Sequence, residues 1–275
     1  MDRVELQWRK IGPAPASRIQ RVPLQNTPPL PPDWLRVEML ERFLVLQRAR
    51  IMPGATVVEI GSGPHAISTV PLALVVGAKG RVIAAERSRW GRFREIVAAS
   101  GLAGTIRPIA CDARRLPFRA DAAELGACVH GIRSLGNPAH LVPVFREMLR
   151  AFPRIFLAET LPLARNDAQR AHLEMYDLRQ EVFAATSGRP DDLSHLPVAT
   201  LVALVEQAGG VVEGSSTLEI DLPDALAYFP RTLVESIPDA STRANLEARW
   251  DEARSKGLRY GTDHPPVGTV TATRR

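Results

Sequence analysis

The sequence predicts an α/β fold, an open and mostly parallel sheet with helices packed on it. Three observations carry this. Short apolar runs recur between helix-like stretches, at residues 56–60, 81–86, 106–113, 125–130 and 154–159. That alternation is what parallel βαβ units produce. The first run, Thr56-Val57-Val58-Glu59-Ile60, leads straight into Gly61-Ser62-Gly63 and then a helix-like segment. Finally, polar residues close the runs: Glu86, Asp112, His130 and Glu159. They gather at the C-terminal strand ends, the edge where open α/β sheets bind ligands.

Taken in order, residues 1–32 form a proline-rich arm. Pro13, Pro15, Pro23, Pro28, Pro29, Pro31 and Pro32 exclude a helix there and favour an extended path. Asp33 suits the N-cap of a helix from Trp34 to about Arg50, with Leu35, Met39, Leu40, Phe43, Leu44 and Leu46 at near-helical spacing. Residues 33–160 then form the ligand-binding core. Pro71 sits where the first crossover helix is expected, and its missing N–H predicts a kink. Beyond residue 160, helices are expected over Asn166–Ala185 and Val198–Ala208, the second stopped by Gly209-Gly210. A sixth strand follows over Val211–Leu222, then a mostly helical stretch 223–262 interrupted by Pro230 and Pro238, and a last strand over Val267–Ala272. Residues 161–275 are thus read as cap helices plus the last two strands of the same domain.

The glycine turn carries the chemistry. Gly61 and Gly63 allow close backbone approach to a ligand, and free helix N–H groups can face it, as nucleotide cofactors require. Glu86 follows Gly63 by 23 residues. An acid near that offset meets ribose hydroxyls in Rossmann-like sites, since a carboxylate accepts two hydrogen bonds from a vicinal diol. Glu59, two residues before the first glycine, occupies a place that dinucleotide sites keep small or apolar. On these residues the chain resembles the class I S-adenosylmethionine (SAM) methyltransferases over about 36–160. Arg50-Ile51-Met52-Pro53-Gly54-Ala55 and Val76-Gly77-Ala78-Lys79-Gly80-Arg81 fit the same family.

The resemblance implies a seven-stranded Rossmann-like methyltransferase sheet, mostly parallel with an antiparallel last strand inserted between the fifth and sixth, plus helical cap insertions. It implies SAM as cofactor, held by Glu59, Gly61, Ser62, Gly63, His65, Glu86, Arg87, Asp112, Ala113 and His130, with Asp112 at the adenine amino group. His65 replaces the family's third glycine. It is either a cofactor or substrate contact or a loop histidine that fills the space. The inserted helices are expected to cap the C-terminal edge of the sheet over residues 161–197 and 223–262.

Composition narrows the class. At 275 residues and 45% hydrophobic, the chain can bury a full core. Cys111 and Cys128 show no metal-ligand spacing and read as buried hydrophobes in a reducing compartment. No short-spaced ligand pair exists among the six histidines, so no metal is expected. No basic-then-apolar leader begins the sequence and no run spans a bilayer, which predicts a cytoplasmic protein without a membrane partner. The net charge of +5 is uneven. Residues 81–119 hold nine arginines against three acids, and residues 159–251 hold sixteen acids against seven arginines. A basic face can meet RNA, yet aromatics are only 5% of the chain and do not interleave with the arginines.

Methyl transfer is an in-line displacement, so an enzyme must align the nucleophile and take up its proton. The Asn/Asp-Pro-Pro-Tyr/Phe signature of base amino methylation is missing after the fourth strand, where Val129-His130-Gly131-Ile132-Arg133 stands. His130 is the candidate general base, its ordinary pKa near 6.5 suiting proton removal at neutral pH, or else a wall of the cofactor pocket. Arg133 and Glu159 are candidate substrate contacts. So are His172, Tyr176 and Arg179, which share one side of a helix; a solvated face is the other reading. The sequence favours a small-molecule acceptor. An RNA or protein methyltransferase using the arginine-rich face, and a methyltransferase-like binding subunit without catalysis, stay open beside it.

Overall fold

The structure is a computed structural model that describes residues 33–87, 90–187, 195–220, 231–261 and 263–275. The proline-rich arm, Pro230 and the expected strand end at residues 221–222 lie outside the described residues. In chain order the elements are α1 (Asp33–Leu46), β1 (Thr56–Ile60), α2 (Thr69–Val76), β2 (Arg81–Glu86), α3 (Gly91–Ser100) and β3 (Ile106–Ala110). Then come β4 (Leu125–Val129), α4 (Ile132–Leu135), α5 (Pro138–Ala151), β5 (Arg154–Thr160) and α6 (Asp167–Ser187). The last are α7 (Val198–Gln207), β6 (Gly210–Leu218), α8 (Arg231–Glu235), α9 (Ala240–Tyr260) and β7 (Val267–Arg274).

The described residues fall into two compact units. The first holds residues up to 161 together with 195–218 and 267–275; the second holds 162–187, 219–220, 231–261 and 263–266. All seven strands belong to the first. Their order is β3-β2-β1-β4-β5-β7-β6. β1, β2, β3, β4 and β5 run parallel, and β7 is antiparallel to both β5 and β6. This is the expected topology, with the last strand between the fifth and sixth.

The central strands are apolar because helices cover both faces of a parallel sheet. Every residue of β4 is buried, as are Val57, Val58, Glu59 and Ile60 of β1. A core cluster joins Cys128 of β4 and Ile155 and Leu157 of β5 to α5 and α7 through Phe145, Met148, Phe152, Leu201 and Val205. Helix ends follow local chemistry. Asn137 caps α5 by accepting from the His140 N–H, with Pro138 at the first helical position. Gly209, at φ 94°, follows α7 in the left-handed region.

Two expectations change. Pro71 does not kink α2. It is the third residue of that helix, inside the first turn, where an N–H has no partner in the helix to lose. The first helix stops at Leu46 and tightens into a 3-10 turn over Gln47–Ala49, closed by Arg50 at φ 48°.

The second unit is helical. Asn166 caps α6 by accepting from the Gln169 N–H at 2.7 Å, and Asp239 caps α9 by accepting from Thr242 N–H at 2.7 Å. Met175, Leu178 and Val182 of α6 pack on Val234, Ile237, Leu246, Trp250 and Ala253. None of the described helices is long and apolar enough to cross a membrane.

Candidate functional site

The loop after β1 is built for close approach. Gly61 and Gly63 take φ of 77° and 64°, the left-handed region that favours glycine. A Cβ on Gly131 would lie 3.1 Å from the Gly61 carbonyl oxygen and 3.2 Å from Cys128 Sγ. The loops that leave β1 and β4 therefore meet backbone to backbone. Glu86, at the end of β2, reaches across to this loop. Its Oε2 accepts from the Gly63 N–H at 3.2 Å and its Oε1 from the Arg87 N–H at 2.7 Å. A carboxylate offers about four acceptor positions, so roughly two stay open for a ligand diol. Ser62 Oγ is buried and has no hydrogen-bond partner among the described residues. A buried hydroxyl without a partner costs on the order of 1–3 kcal/mol, which a polar ligand in the loop would relieve. These groups fit a ribose-bearing cofactor.

Glu59 turns inward. It is 1% exposed, and its carboxyl accepts from the Thr69 hydroxyl at the start of α2. Burial pushes its pKa up to about 7, against the Thr69 hydrogen bond. Its role here is to tie strand to helix beneath the loop. Asp112 is held by Arg114: Nε donates to Oδ1 at 3.0 Å, Nη2 to Oδ2 at 2.6 Å, and the backbone N–H to Oδ1 at 2.9 Å. Those hydrogen bonds hold the carboxyl down at about 2. One acceptor position on Oδ2 stays open. Ala113 follows it and His65 follows Pro64 in the β1 loop, both half-buried.

A buried polar network lies beside the loop, at the ends of β4 and β5. His130 stands at φ 53°, unusual for a residue with a Cβ. Its Nε2 lies 3.0 Å from Glu41 Oε1 of α1. Its Nδ1 lies 3.1 Å from Thr160 Oγ1 and 3.4 Å from Glu159 Oε1. Burial and Arg42 press the imidazole pKa down, but Glu41 and Glu159 outweigh them and it stands above its usual value. A general base needs an open lone pair toward the acceptor. In this arrangement both ring nitrogens are engaged, which argues against the base role expected from the sequence.

Arg133, expected either on a surface or at a substrate, is 5% exposed. Its Nε lies 3.4 Å from Glu159 Oε1, and its Nη1 donates to His195 Nε2 at 3.2 Å. Burial would raise Glu159; Arg133 and then His130 override it and hold the carboxyl down at about 2. His195 Nδ1 donates to the Thr160 carbonyl at 3.0 Å. A carbonyl only accepts and a guanidinium only donates, so His195 is the neutral Nδ1–H tautomer. Glu41, Arg42, Thr160 and His195 escape the sequence reading, because α1 looks like an apolar stripe and His195 carries no short-spaced partner in the chain.

His172, Tyr176 and Arg179 belong to the second unit. His172 is 4% exposed, not part of a solvated face. It stacks on Tyr176 at 6.4 Å between ring centroids and packs on His264 at 5.2 Å.

Open parallel sheets of several families share such a ligand edge, and the strand order decides among them. An antiparallel seventh strand between the fifth and sixth matches solved structures over most of the chain. The fold is that of the class I SAM-dependent methyltransferases. A cyclopropane-fatty-acyl-phospholipid synthase-like protein from Lactobacillus casei superposes with a TM-score of 0.66 at 15% identity, over 91% of this chain and 96% of that one. A SAM-dependent methyltransferase from Aquifex aeolicus gives 0.52 at 15% identity, over 86% and 92%. The [4+2]-cyclase SpnF gives 0.54 at 15% identity, over 86% and 81%. No family model matches the sequence, and no curated protein is similar to it in sequence.

Proposed function

We propose that the chain is an enzyme that transfers the methyl group of SAM to a small-molecule acceptor. One observation carries the reading: Glu86, at the end of β2, is hydrogen-bonded to the Gly63 amide of the Gly61-Ser62-Gly63 loop with acceptor positions to spare. Glu86 then takes the ribose diol, Ser62 Oγ and the loop amides take further polar groups, and Asp112 takes the adenine amino group. When bound, the cofactor supplies a methyl group on a sulfonium sulfur, open to in-line attack. The chain's part is to hold the acceptor in line and exclude water. Arg133 and Glu159 are committed to one another, so they contribute a fixed wall and not a charged handle. The small-molecule acceptor is supported by the missing base-methylation motif and the lack of interleaved aromatics.

Isothermal titration calorimetry with SAM tests this. The folded protein is expected to bind SAM, and Glu86→Ala to weaken binding by about 1–3 kcal/mol. Unchanged affinity would remove Glu86 from the site; NAD binding without SAM binding would overturn the reading.

One observation favours RNA as acceptor instead. Arg81, Arg87, Arg92, Arg94, Arg107, Arg115 and Arg119 are all exposed, and none makes an ion pair among the described residues. Salt-sensitive retention of RNA, with methyl label appearing in it, would select that reading.

A further inference from the structure

We infer that His130 is a positioning residue: its imidazole fastens helix α1 to the ends of β4 and β5 by bridging Glu41 and Glu159. The inference stands on the geometry of the cluster and not on methyl transfer. Glu41 is 0% exposed and sits among Met39, Phe43, Val45 and Leu46, the buried side chains that seat α1. A carboxylate at such a place needs partners, because an unpaired buried charge is strongly destabilising, and Arg42 donates to only one of its oxygens, Oε2. His130 supplies one from across the fold, 89 residues away. Its own placement is fixed independently. The backbone N–H donates to the Ala158 carbonyl at 2.8 Å, and Thr160 Oγ1 and Glu159 hold the second ring nitrogen.

The charges around the ring decide its protonation state. Glu38, Glu41 and Arg42 face it or its partners from α1, Glu159 from β5, Arg133 from α4, neutral His195 from the segment before α7, and Glu59 of β1 acts on Arg42. A charged imidazole donates from both ring nitrogens, to Glu41 Oε1 on one side and to Thr160 Oγ1 and Glu159 on the other. A neutral imidazole keeps one ring proton and so loses one of those two donations. The charged form therefore holds α1 best. The hold weakens as pH rises through the histidine's titration, since a base raised in the folded state stabilises only below its folded pKa.

Amide hydrogen exchange on the full chain tests this, with the β4 amides as internal reference. In Glu41→Gln, α1 amides are expected to exchange about ten- to a hundredfold faster near pH 6 while β4 stays protected. In the wild type, α1 protection, corrected for intrinsic exchange, is expected to fall between pH 6 and 9; in Glu41→Gln that fall should vanish. Nitrogen-15 spectra of the wild-type imidazoles provide a second measurement that needs no variant. His130 is expected to show both ring nitrogens protonated at pH 6.5. Unchanged α1 exchange in Glu41→Gln, or a neutral His130 at that pH, would overturn the inference. Neither arm uses cofactor, so a failure of SAM binding leaves it standing.

Discussion

At Glu59, burial and hydrogen bonding act against each other, and burial wins. The carboxyl lies beneath the glycine loop, 1% exposed, and desolvation pushes it up to about 7 despite the Thr69 hydroxyl and Arg42. The folded protein therefore keeps a proton that the unfolded chain releases near pH 4.5. Stability falls with rising pH wherever the folded state binds more protons. From about pH 4.5 to 7 this one residue thus costs the fold progressively more. Glu159 acts the other way and in a separate window: its carboxyl is held down at about 2, so its contribution is complete above pH 4.5 and lost below. Glu59→Gln keeps an acceptor for Thr69 and removes the proton. Its stability relative to wild type is expected to rise between pH 5 and 8, by an amount on the order of 1–3 kcal/mol. Urea denaturation at a series of pH values measures it; a difference that does not vary with pH would mean Glu59 stays ionised in the fold.

Among the elements, β4 shows most directly how packing sets sequence. A Cβ on Gly126 would stand 2.2 Å from the Phe152 ring, and that ring is 0% exposed. The glycine in a central strand, ordinarily unfavourable, leaves room for an aromatic at the end of α5. Gly126→Ala is expected to destabilise the protein by about 1–3 kcal/mol through overpacking, read as a lower urea midpoint. A midpoint equal to wild type would mean that Phe152 relaxes freely. The strands themselves were legible because polar residues interrupt apolar runs where the chain leaves the sheet: Glu86, His130 and Glu159 all mark such ends. The glycine loop and its partner Glu86 were legible because their spacing is local. What joins α1 to the sheet was not. Glu41 reads as a polar break in a helix, and nothing in the chain around it points to a histidine 89 residues on. Pro71 departs from its expected kink for a related reason, since its effect depends on where the helix begins and two residues decide between a kink and a first turn.

Across the whole molecule the charge is divided by segment. Among the described residues, most arginines of 81–119 are exposed and without ion pairs, while several basic residues of the second unit are paired: Arg170 with Asp167, Arg231 with Asp251, Arg249 with Glu181 and Lys256 with Glu174. Exposed pairs contribute little to stability, so this division bears on partners more than on folding. A polyanion would gain from the unpaired arginines by releasing counterions, and its binding would fall steeply with salt. Recognition of single-stranded RNA also wants aromatic faces for stacking. Near the arginines Trp90 is half-buried, with Phe93 edge-on at 5.0 Å, so it offers no open platform. The charge therefore favours weak, sequence-blind attraction over a methylated RNA site, and the acceptor is expected to be a small molecule. Incubating the protein with methyl-labelled SAM and a cell extract, then separating metabolites, RNA and protein, decides between them. Label is expected in the metabolite fraction, insensitive to nuclease and little changed between 50 and 200 mM salt, over which an acceptor held by six to ten phosphate contacts would lose about 10³–10⁵ in affinity. Label confined to RNA and lost with salt would move the acceptor to the arginine-rich face.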